Sequence, residues 1–582
     1  MIRENTNSKE IQGKQYWKSL DDLADTPGFR SWVNREFPEG ASFINGVERR
    51  GFMKVMAASF GLAGLGMTGC SRPEHAILPH GKSPEELIPG IPAFYSSARP
   101  TSAGFVPVIV ESHDGRPTKI EGNPSFAPSG GSTDIYTQAS VLDLYDPDRA
   151  RGCFINQSET KEAESSSSWK KHSSADITER LSKMENLGQV AVLANHSSSV
   201  IRNSLLSQLQ DKGVKIFNFE AVDLLNPEKN LAKMLGAEKS LRTLPNFSNA
   251  KKVLSLDSDF LGNREPNSCT NTKQFMQGRK VHSPKDSKRM NRLYSVESDL
   301  TITGGVADHR LRLSSSEIEG FTALILINLL QSSGNRDKKL LEHLFELSKG
   351  FDSHEKWAQG CANDLLINPK QSLVIAGSHL PGSVHLLTYK INQTLGNQNT
   401  CLQYLEVNHT AGNLASLCES LENKEIDTLL FIGGNPVYHC PSVEWTDLLK
   451  SVSSTYRLGS AIDETSQICD FHIGQSHFLE CWDLGETWIH DTYVPTQPLL
   501  APLFDTLSDL EILSSLFGNI KKSYDIVKEY YESNTDISEN FEDFLKLGVA
   551  NTTPSTLKTL PDADSAILKI NEPLFSLGRS ML

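Results

Sequence analysis

Four short aliphatic runs, each closed by polar or glycine residues and three of them followed by helical periodicity, constrain this chain more than any other feature. They are Gln189-Val190-Ala191-Val192-Leu193-Ala194-Asn195, Lys252-Val253-Leu254-Ser255-Leu256-Asp257, Ser372-Leu373-Val374-Ile375-Ala376-Gly377 and Thr428-Leu429-Leu430-Phe431-Ile432-Gly433. Runs of this length without polar alternation suit strands buried on both faces. After the first, Ile201, Leu205, Leu206 and Leu209 recur at the spacing of one helix face. Strands separated by helices need crossover connections, and crossovers make parallel sheets covered on both sides. The predicted fold class is therefore α/β, with two or more doubly wound, Rossmann-like lobes.

At 582 residues the chain has room for about three or four domains. Apolar residues make up 38% and charged residues 22%, which excludes collagen, an extended coiled coil and a disordered tail. The net charge of −14 repels phosphate backbones, so nucleic acid is not an expected partner. A local basic stretch, Lys273, Arg279, Lys280, Lys285, Lys288, Arg289 and Arg292, lacks interleaved aromatics and reads as a solvated loop or subunit contact. The nine cysteines form no CxxC pair, so they describe neither a dense disulfide framework nor a cluster-binding pattern. Cys153 reads as a small core residue.

No run of about 18 uncharged apolar residues occurs. The nearest, Val55 to Gly69, follows Arg49-Arg50-Gly51-Phe52-Met53-Lys54 directly. Paired arginines, an aromatic at Phe52 and a modest apolar stretch are similar to a twin-arginine export signal, with Glu48 where that motif prefers Ser or Thr. The stretch ends in Met67-Thr68-Gly69-Cys70, which resembles a lipoprotein cleavage box and makes Cys70 the candidate lipidation site. Forty-eight residues precede the arginines, among them Tyr16-Trp17-Lys18-Ser19-Leu20, Pro27-Gly28-Phe29 and Glu36-Phe37-Pro38-Glu39-Gly40-Ala41. In this order they resemble the long variant leader of the large iron–sulphur subunit of alternative complex III, a bacterial quinol:cytochrome c or quinol:acceptor oxidoreductase.

Downstream, Val106-Pro107-Val108-Ile109-Val110 and Lys119-Ile120-Glu121 flank Asp114-Gly115, the pattern of a β-hairpin. The segment Asp114-Gly115-Arg116-Pro117-Thr118-Lys119-Ile120-Glu121-Gly122-Asn123-Pro124, followed by Leu144-Tyr145-Asp146-Pro147-Asp148-Arg149, resembles the opening of the molybdopterin oxidoreductase superfamily. In catalytic members, cysteines just before this hairpin and after its GNP hold a 4Fe–4S cluster through thiolates. Here residues 99–134 contain no cysteine, so that cluster cannot form at this place. Tyr294-Ser295-Val296-Glu297-Ser298, Thr301-Ile302-Thr303-Gly304, Ala307-Asp308-His309-Arg310, His477-Phe478-Leu479-Glu480-Cys481-Trp482-Asp483 and Gln497-Pro498-Leu499-Leu500-Ala501-Pro502-Leu503 continue the likeness to the complex III subunit. His309 and His477 stand at no metal-ligand spacing and read as structural.

Gly433-Gly434-Asn435-Pro436 follows the fourth strand, at the end where open α/β sheets bind ligands. The resemblance implies that this loop corresponds to one approaching a pyranopterin guanosine dinucleotide and is vestigial here. No catalytic residue, no metal ligand and no molybdopterin are expected in this chain. The implied role is a non-catalytic, pterin-free part of the iron–sulphur subunit, with 4Fe–4S and 3Fe–4S clusters in a ferredoxin-like half supplied by another polypeptide or a continuation. Implied partners are that half, a multihaem cytochrome and quinol-binding membrane subunits, at the periplasmic face of the inner membrane after twin-arginine export. Two other readings stay open: a catalytic molybdopterin oxidoreductase, and an exported scaffold lipoprotein. The expected organisation is a leader (1–47), the signal with its cleavage box (48–70), a Pro-rich linker (71–100) and a β-rich segment (101–160). Two α/β lobes (161–350 and 351–520, the second carrying the GGNP loop) and a helical or irregular tail (521–582) complete it. A Ser-rich stretch at 165–168 reads as a linker or insertion.

Overall fold

The structure, a computed structural model, describes residues 26–28, 30–31, 88, 90–157, 169–334, 337–407, 411–533, 540–552 and 561–570. Arg49, Arg50, Phe52, Cys70 and the Ser-rich stretch at 165–168 lie outside the described residues. The chain divides into two compact units, Met1–Glu85 and Glu86–Leu582. In the first, a single helical turn is described, where the Arg30 N–H donates to the Thr26 carbonyl at 3.0 Å. Among the described residues no helix is long and apolar enough to cross a membrane.

The second unit is built around two sheets, one mainly and one wholly parallel. In the larger, the strands lie in the order Trp169–His172, Cys153–Asn156, Phe471–Gly474, Ser454–Gly459, Thr428–Ile432, Val190–Ala194 and Lys215–Asn218. The five from Phe471–Gly474 to Lys215–Asn218 are parallel, and the first two add antiparallel at the edge. Alternate side chains enter different cores: Val190, Val192, Leu430 and Ile432 pack on one face, Ala191, Leu193, Leu429 and Phe431 on the other. That is why these strands read as continuous apolar runs. The first crossover helix, Val200–Asp211, starts at Ser199, whose hydroxyl accepts from the Arg202 N–H at 3.1 Å.

The second sheet has the all-parallel order His309–Arg312, Arg292–Glu297, Lys252–Leu256, Ser372–Ala376. Against it lies helix Ile318–Ser332, apolar on all sides and buried from Ile318 to Leu330. The antiparallel pair Ser240–Pro245 and Leu402–Val407 accompanies this lobe. The two lobes are nested, not consecutive: strands Val190–Ala194 and Lys215–Asn218 share a sheet with strands beyond residue 428, and the four-stranded lobe is inserted between them. The boundary expected at 350/351 therefore separates no two sheets. Periodicity reports whether a segment is a strand, whereas pairing depends on partners far away along the chain.

The expected hairpin is present, Val106–His113 paired with Arg116–Gly122 through Asp114 and Gly115, both at positive φ (50° and 80°). Strand Ala93–Arg99 extends it to three strands, so the end of the segment expected as a linker is part of a sheet. The expected tail is likewise built in. Ala550–Asn551 pairs with Thr492–Thr496, itself paired with Asp483–Glu486. The carbonyls of Leu545 and Leu547 accept from Ser96 Oγ (2.6 Å) and Asn123 Nδ2 (3.0 Å) in the N-terminal sheet. Side chains of Gln497 and Asn123 stitch these pieces together, a long-range role that local sequence does not display.

Candidate functional site

Numbered along the chain, the parallel strands of the larger sheet run 2-1-3-4-5, so the strand order reverses between Val190–Ala194 and Thr428–Ile432. At such a switch point the following loops diverge and leave a crevice at the carboxyl edge. Asn195 follows one strand and Gly433 the other, and the Asn195 N–H donates to the Ile432 carbonyl at 3.1 Å. Gly433 and Gly434 both have positive φ (70° and 59°). A Cβ on Gly433 would stand 2.4 Å from Asn195 Oδ1, so this position needs glycine on both counts.

The GGNP loop is held from inside the chain. Arg457, buried on strand Ser454–Gly459, donates to the carbonyl of Gly433 at 2.8 Å and to that of Gly434, and pairs with Asp463 at 2.6 Å. Asn435 Oδ1 accepts from Thr465 Oγ1 (2.7 Å) and the Tyr438 N–H (3.4 Å), while its Nδ2 donates to Glu464 (2.7 Å). Pro436 opens the short helix that Asn435 caps. On the opposite side Arg202 donates to the Asn195 backbone carbonyl (3.1 Å) and to its Oδ1 (3.0 Å). Both glycine carbonyls and the Asn435 carboxamide are thus engaged internally.

The four-stranded sheet has a switch point of its own, because its strands run 3-2-1-4 and the order reverses between Lys252–Leu256 and Ser372–Ala376. There the loop residues are acidic. Asp257, at φ 48°, accepts from the Ser298 N–H (2.9 Å), Ser315 Oγ and His379 Nε2 (3.2 Å). Burial opposes its ionisation, but those bonds outweigh burial and bring the carboxyl down to about 2. Asp259 accepts from the Thr303 N–H and hydroxyl at 3.0 and 2.8 Å. Buried Glu297 accepts from Thr301 Oγ1 at 2.6 Å and pairs with Arg310.

A solved structure with a similar fold is acetylene hydratase from Pelobacter acetylenicus, which superposes with a TM-score of 0.56 at 11% identity, covering 78% of this chain and 74% of that one. The chain has the molybdopterin-oxidoreductase-like fold. No protein-family model matches it, and no curated protein matches it in sequence.

A pterin dinucleotide, which this fold family implies, carries a diphosphate that needs free backbone N–H groups or cations at such an edge. At the four-stranded edge Asp257 and Asp259 stand instead, and like charge repels the diphosphate. At the larger edge the Arg457 guanidinium is turned inward onto two carbonyls and Asp463, and the Asn195 side chain lies against Gly433. Of the cations at the two edges, Arg457, Arg202 and Arg310 are committed to carbonyls or carboxylates of the chain itself, which leaves none of the three for a diphosphate. The groups at both edges hold loops in place. Among the described residues no group of three His, Cys, Asp or Glu side chains is placed to hold a metal ion.

The other residues singled out from sequence are dispersed. His309 stacks on Tyr294 at 4.7 Å. His477 Nε2 donates to the Ser140 carbonyl at 3.1 Å while its Nδ1 accepts from the Leu479 N–H, and burial brings the imidazole down to about 4. Cys153 is buried in its strand, and burial pushes the thiol up to about 12. In the basic stretch Arg279 pairs with Asp308, Arg289 with Asp286 and Arg292 with Asp364.

The recognised motifs meet one another. Tyr145 of the LYDPDR segment donates to the Pro117 carbonyl of the hairpin at 2.8 Å and lies under Arg116. Arg149, which ends that segment, forms a buried two-point ion pair with Glu480 of the HFLECWD segment, at 2.6 and 3.2 Å. Nothing in the spacing of the two segments along the chain joins them. The available signal was a lone cation, Arg149, in one segment and an acid set between Leu479 and Cys481, Glu480, in the other. Arg457, Asn195 and Arg202 carried no signal of their own.

Proposed function

We propose that this chain is a non-catalytic, pterin-free molybdopterin-oxidoreductase-like component of a respiratory quinol:acceptor oxidoreductase of the alternative complex III type. It serves as the scaffold half of the iron–sulphur subunit. Electrons pass through 4Fe–4S and 3Fe–4S clusters of a ferredoxin-like half outside these residues, between quinol-binding membrane subunits and a multihaem cytochrome. The observation that supports this most is the set of charged side chains at the two switch points, acidic at one and, at the other, an arginine turned inward onto the chain's own carbonyls and Asp463. The cysteine-free stretch at 99–134 agrees with it, because iron clusters need thiolate ligands.

The test is purification of the chain from its native membranes. It is expected to co-purify with cluster- and haem-containing subunits. Dissociated from them, it should hold no iron, molybdenum or tungsten and show no absorbance near about 400 nm, the region expected of thiolate-ligated iron. Stoichiometric molybdenum or tungsten in the isolated chain would favour an enzyme instead, and purification without redox partners a free-standing scaffold.

The reading also places the protein at the periplasmic face by twin-arginine export, with Cys70 as a lipid anchor. Replacing Arg49 and Arg50 by Lys is expected to leave the protein in the cytoplasm, since Lys lacks the planar multi-donor guanidinium. Fractionation of cells expressing the double variant reads this directly, and unchanged export would refute the signal.

A further inference from the structure

Helix Ser268–Gln277 buries Thr270, Asn271 and Phe275 and turns its opposite face outward. Cys269, Thr272, Lys273, Met276 and, just past the helix end, Lys280 lie on that outer face at helical spacing. Across from them runs segment 132–135, which leads into helix Ile135–Ala139, and between the two lies an open groove of about 730 Å³. Lys273 ties the helix to the chain just before that segment: its ammonium lies over Gly130 and donates to the Ala127 carbonyl at 2.6 Å. Leu261 and Asn263, from the loop after strand Lys252–Leu256, complete the lining.

The groove presents apolar groups to solvent. Ile135 is 67% and Met276 36% exposed, and Val281 and Met290 of the adjoining loop are exposed as well. That loop, residues 279–290, starts and ends at the helix, because the Asn291 N–H donates to the Gly278 carbonyl at 3.3 Å and Asn291 Nδ2 to the Phe275 carbonyl at 2.9 Å. Its exposed cations Lys280, Lys285 and Lys288 are thereby tethered at one end of the groove. The arginines beside them are engaged, Arg279 with Asp308 and Arg289 with Asp286, whereas among the described residues these three lysines pair with no carboxylate. The acid that lines the groove, Asp134, is engaged too, accepting from the Thr137 N–H and hydroxyl at 2.8 and 2.7 Å.

Exposed aliphatic side chains in a concave surface, bordered by free cations, match an amphipathic segment of a protein partner. Shape disfavours a bilayer, whose plane cannot enter a groove between two walls. Charge selects acid. The chain as a whole carries −14, so an acidic segment is repelled by most of its surface and drawn to this place. We propose that this groove docks a partner protein through a segment in which two or more carboxylates flank an aliphatic or aromatic side chain. The apolar group lies against Ile135 and Met276, whose flexible thioether adapts to it, and the carboxylates meet Lys280, Lys285 and Lys288. The docking does not depend on the scaffold role proposed above.

The test is photo-crosslinking of the full chain in its native cells, with benzoylphenylalanine placed at Met276 and, as a control, at Phe345, which is exposed on helix Lys338–Leu347. Mass spectrometry is expected to find the Met276 probe joined to one partner protein, at a segment with carboxylates on either side of an apolar residue, and the Phe345 probe not joined to it. Lys280→Glu/Lys285→Glu/Lys288→Glu should lower the yield at least about tenfold, each exposed attraction becoming a repulsion, while the corresponding triple change to Arg should keep it. Ile135→Asp, at an exposed position, should lower the yield as well, and it decides the matter if the triple Glu variant fails to fold. No crosslink, capture of lipid or of a second copy of this chain, a captured segment without carboxylates, or a yield indifferent to the charge reversal would overturn the proposal.

Discussion

Glu480→Gln is expected to destabilise the protein by about 3–5 kcal/mol, the cost of removing one partner from a buried ion pair. The side chains of Arg149 and Glu480 are 4% and 0% exposed, so water cannot replace the lost charge. The pair is also anchored on both sides. Glu480 accepts from the N–H groups of His477 (2.8 Å) and Leu503 (3.0 Å), and Arg149 donates to the Leu144 carbonyl (3.0 Å). The variant keeps the shape but leaves the guanidinium uncompensated. In the double variant Arg149→Leu/Glu480→Leu no charge is stranded, so its loss should be smaller than the sum of the single losses. Urea unfolding of the full chain measures all of these, and a Glu480→Gln loss under about 1 kcal/mol would show that solvent reaches the site.

The same pair makes a pH prediction. Burial opposes ionisation of Glu480, but the bonds from Arg149, Leu503 and His477 outweigh it and hold the carboxyl below its ordinary value. A depressed carboxyl contributes stability that is present above the unfolded value, about 4.3, and lost as pH falls through the folded one. The stability gap between the parent and Glu480→Gln should therefore narrow below about pH 4.

Asp483→Asn is expected to act in the opposite sense, raising stability by about 2 kcal/mol or more at pH 8 while changing little near pH 4. Burial and the neighbouring charge of Asp509 push the Asp483 carboxyl well above its ordinary value. A carboxyl raised on folding contributes stability fully present below its unfolded value, about 3.9, and lost as pH rises through the folded value. The parent should thus lose stability as pH rises above about 4, and the uncharged variant should not. Asparagine keeps Oδ1 to accept from Ser199 Oγ (2.6 Å) and the Leu484 N–H (2.7 Å), so the cap of helix Val200–Asp211 survives. Denaturant unfolding across this pH range reads the difference, and parallel profiles for the two proteins would refute it.

Element types and the hairpin were legible because their causes are local. An aliphatic run such as Val190–Ala194 needs apolar cover on both faces whichever strand lies beside it, and Asp114-Gly115 suits a two-residue turn by its own backbone preferences. The GGNP loop was legible as a strand-to-helix turn for the same reason. Its surroundings were not, since Asn195, Arg202, Arg457 and Asp463 reach it from separate elements.

By itself the sequence determined the α/β class, the parallel strands, the hairpin and the absence of cysteines near the first motif, all properties of residues within a few positions of one another. The tertiary structure decided the nesting of one lobe inside the other and the joining of the 540–552 segment to the N-terminal sheet. It also decided the partner of Arg149 and the burial of His385 Nε2 and Thr388 Oγ1. Strand partners and buried charges depend on what closes over a residue from distant parts of the chain, and no local period or motif encodes that.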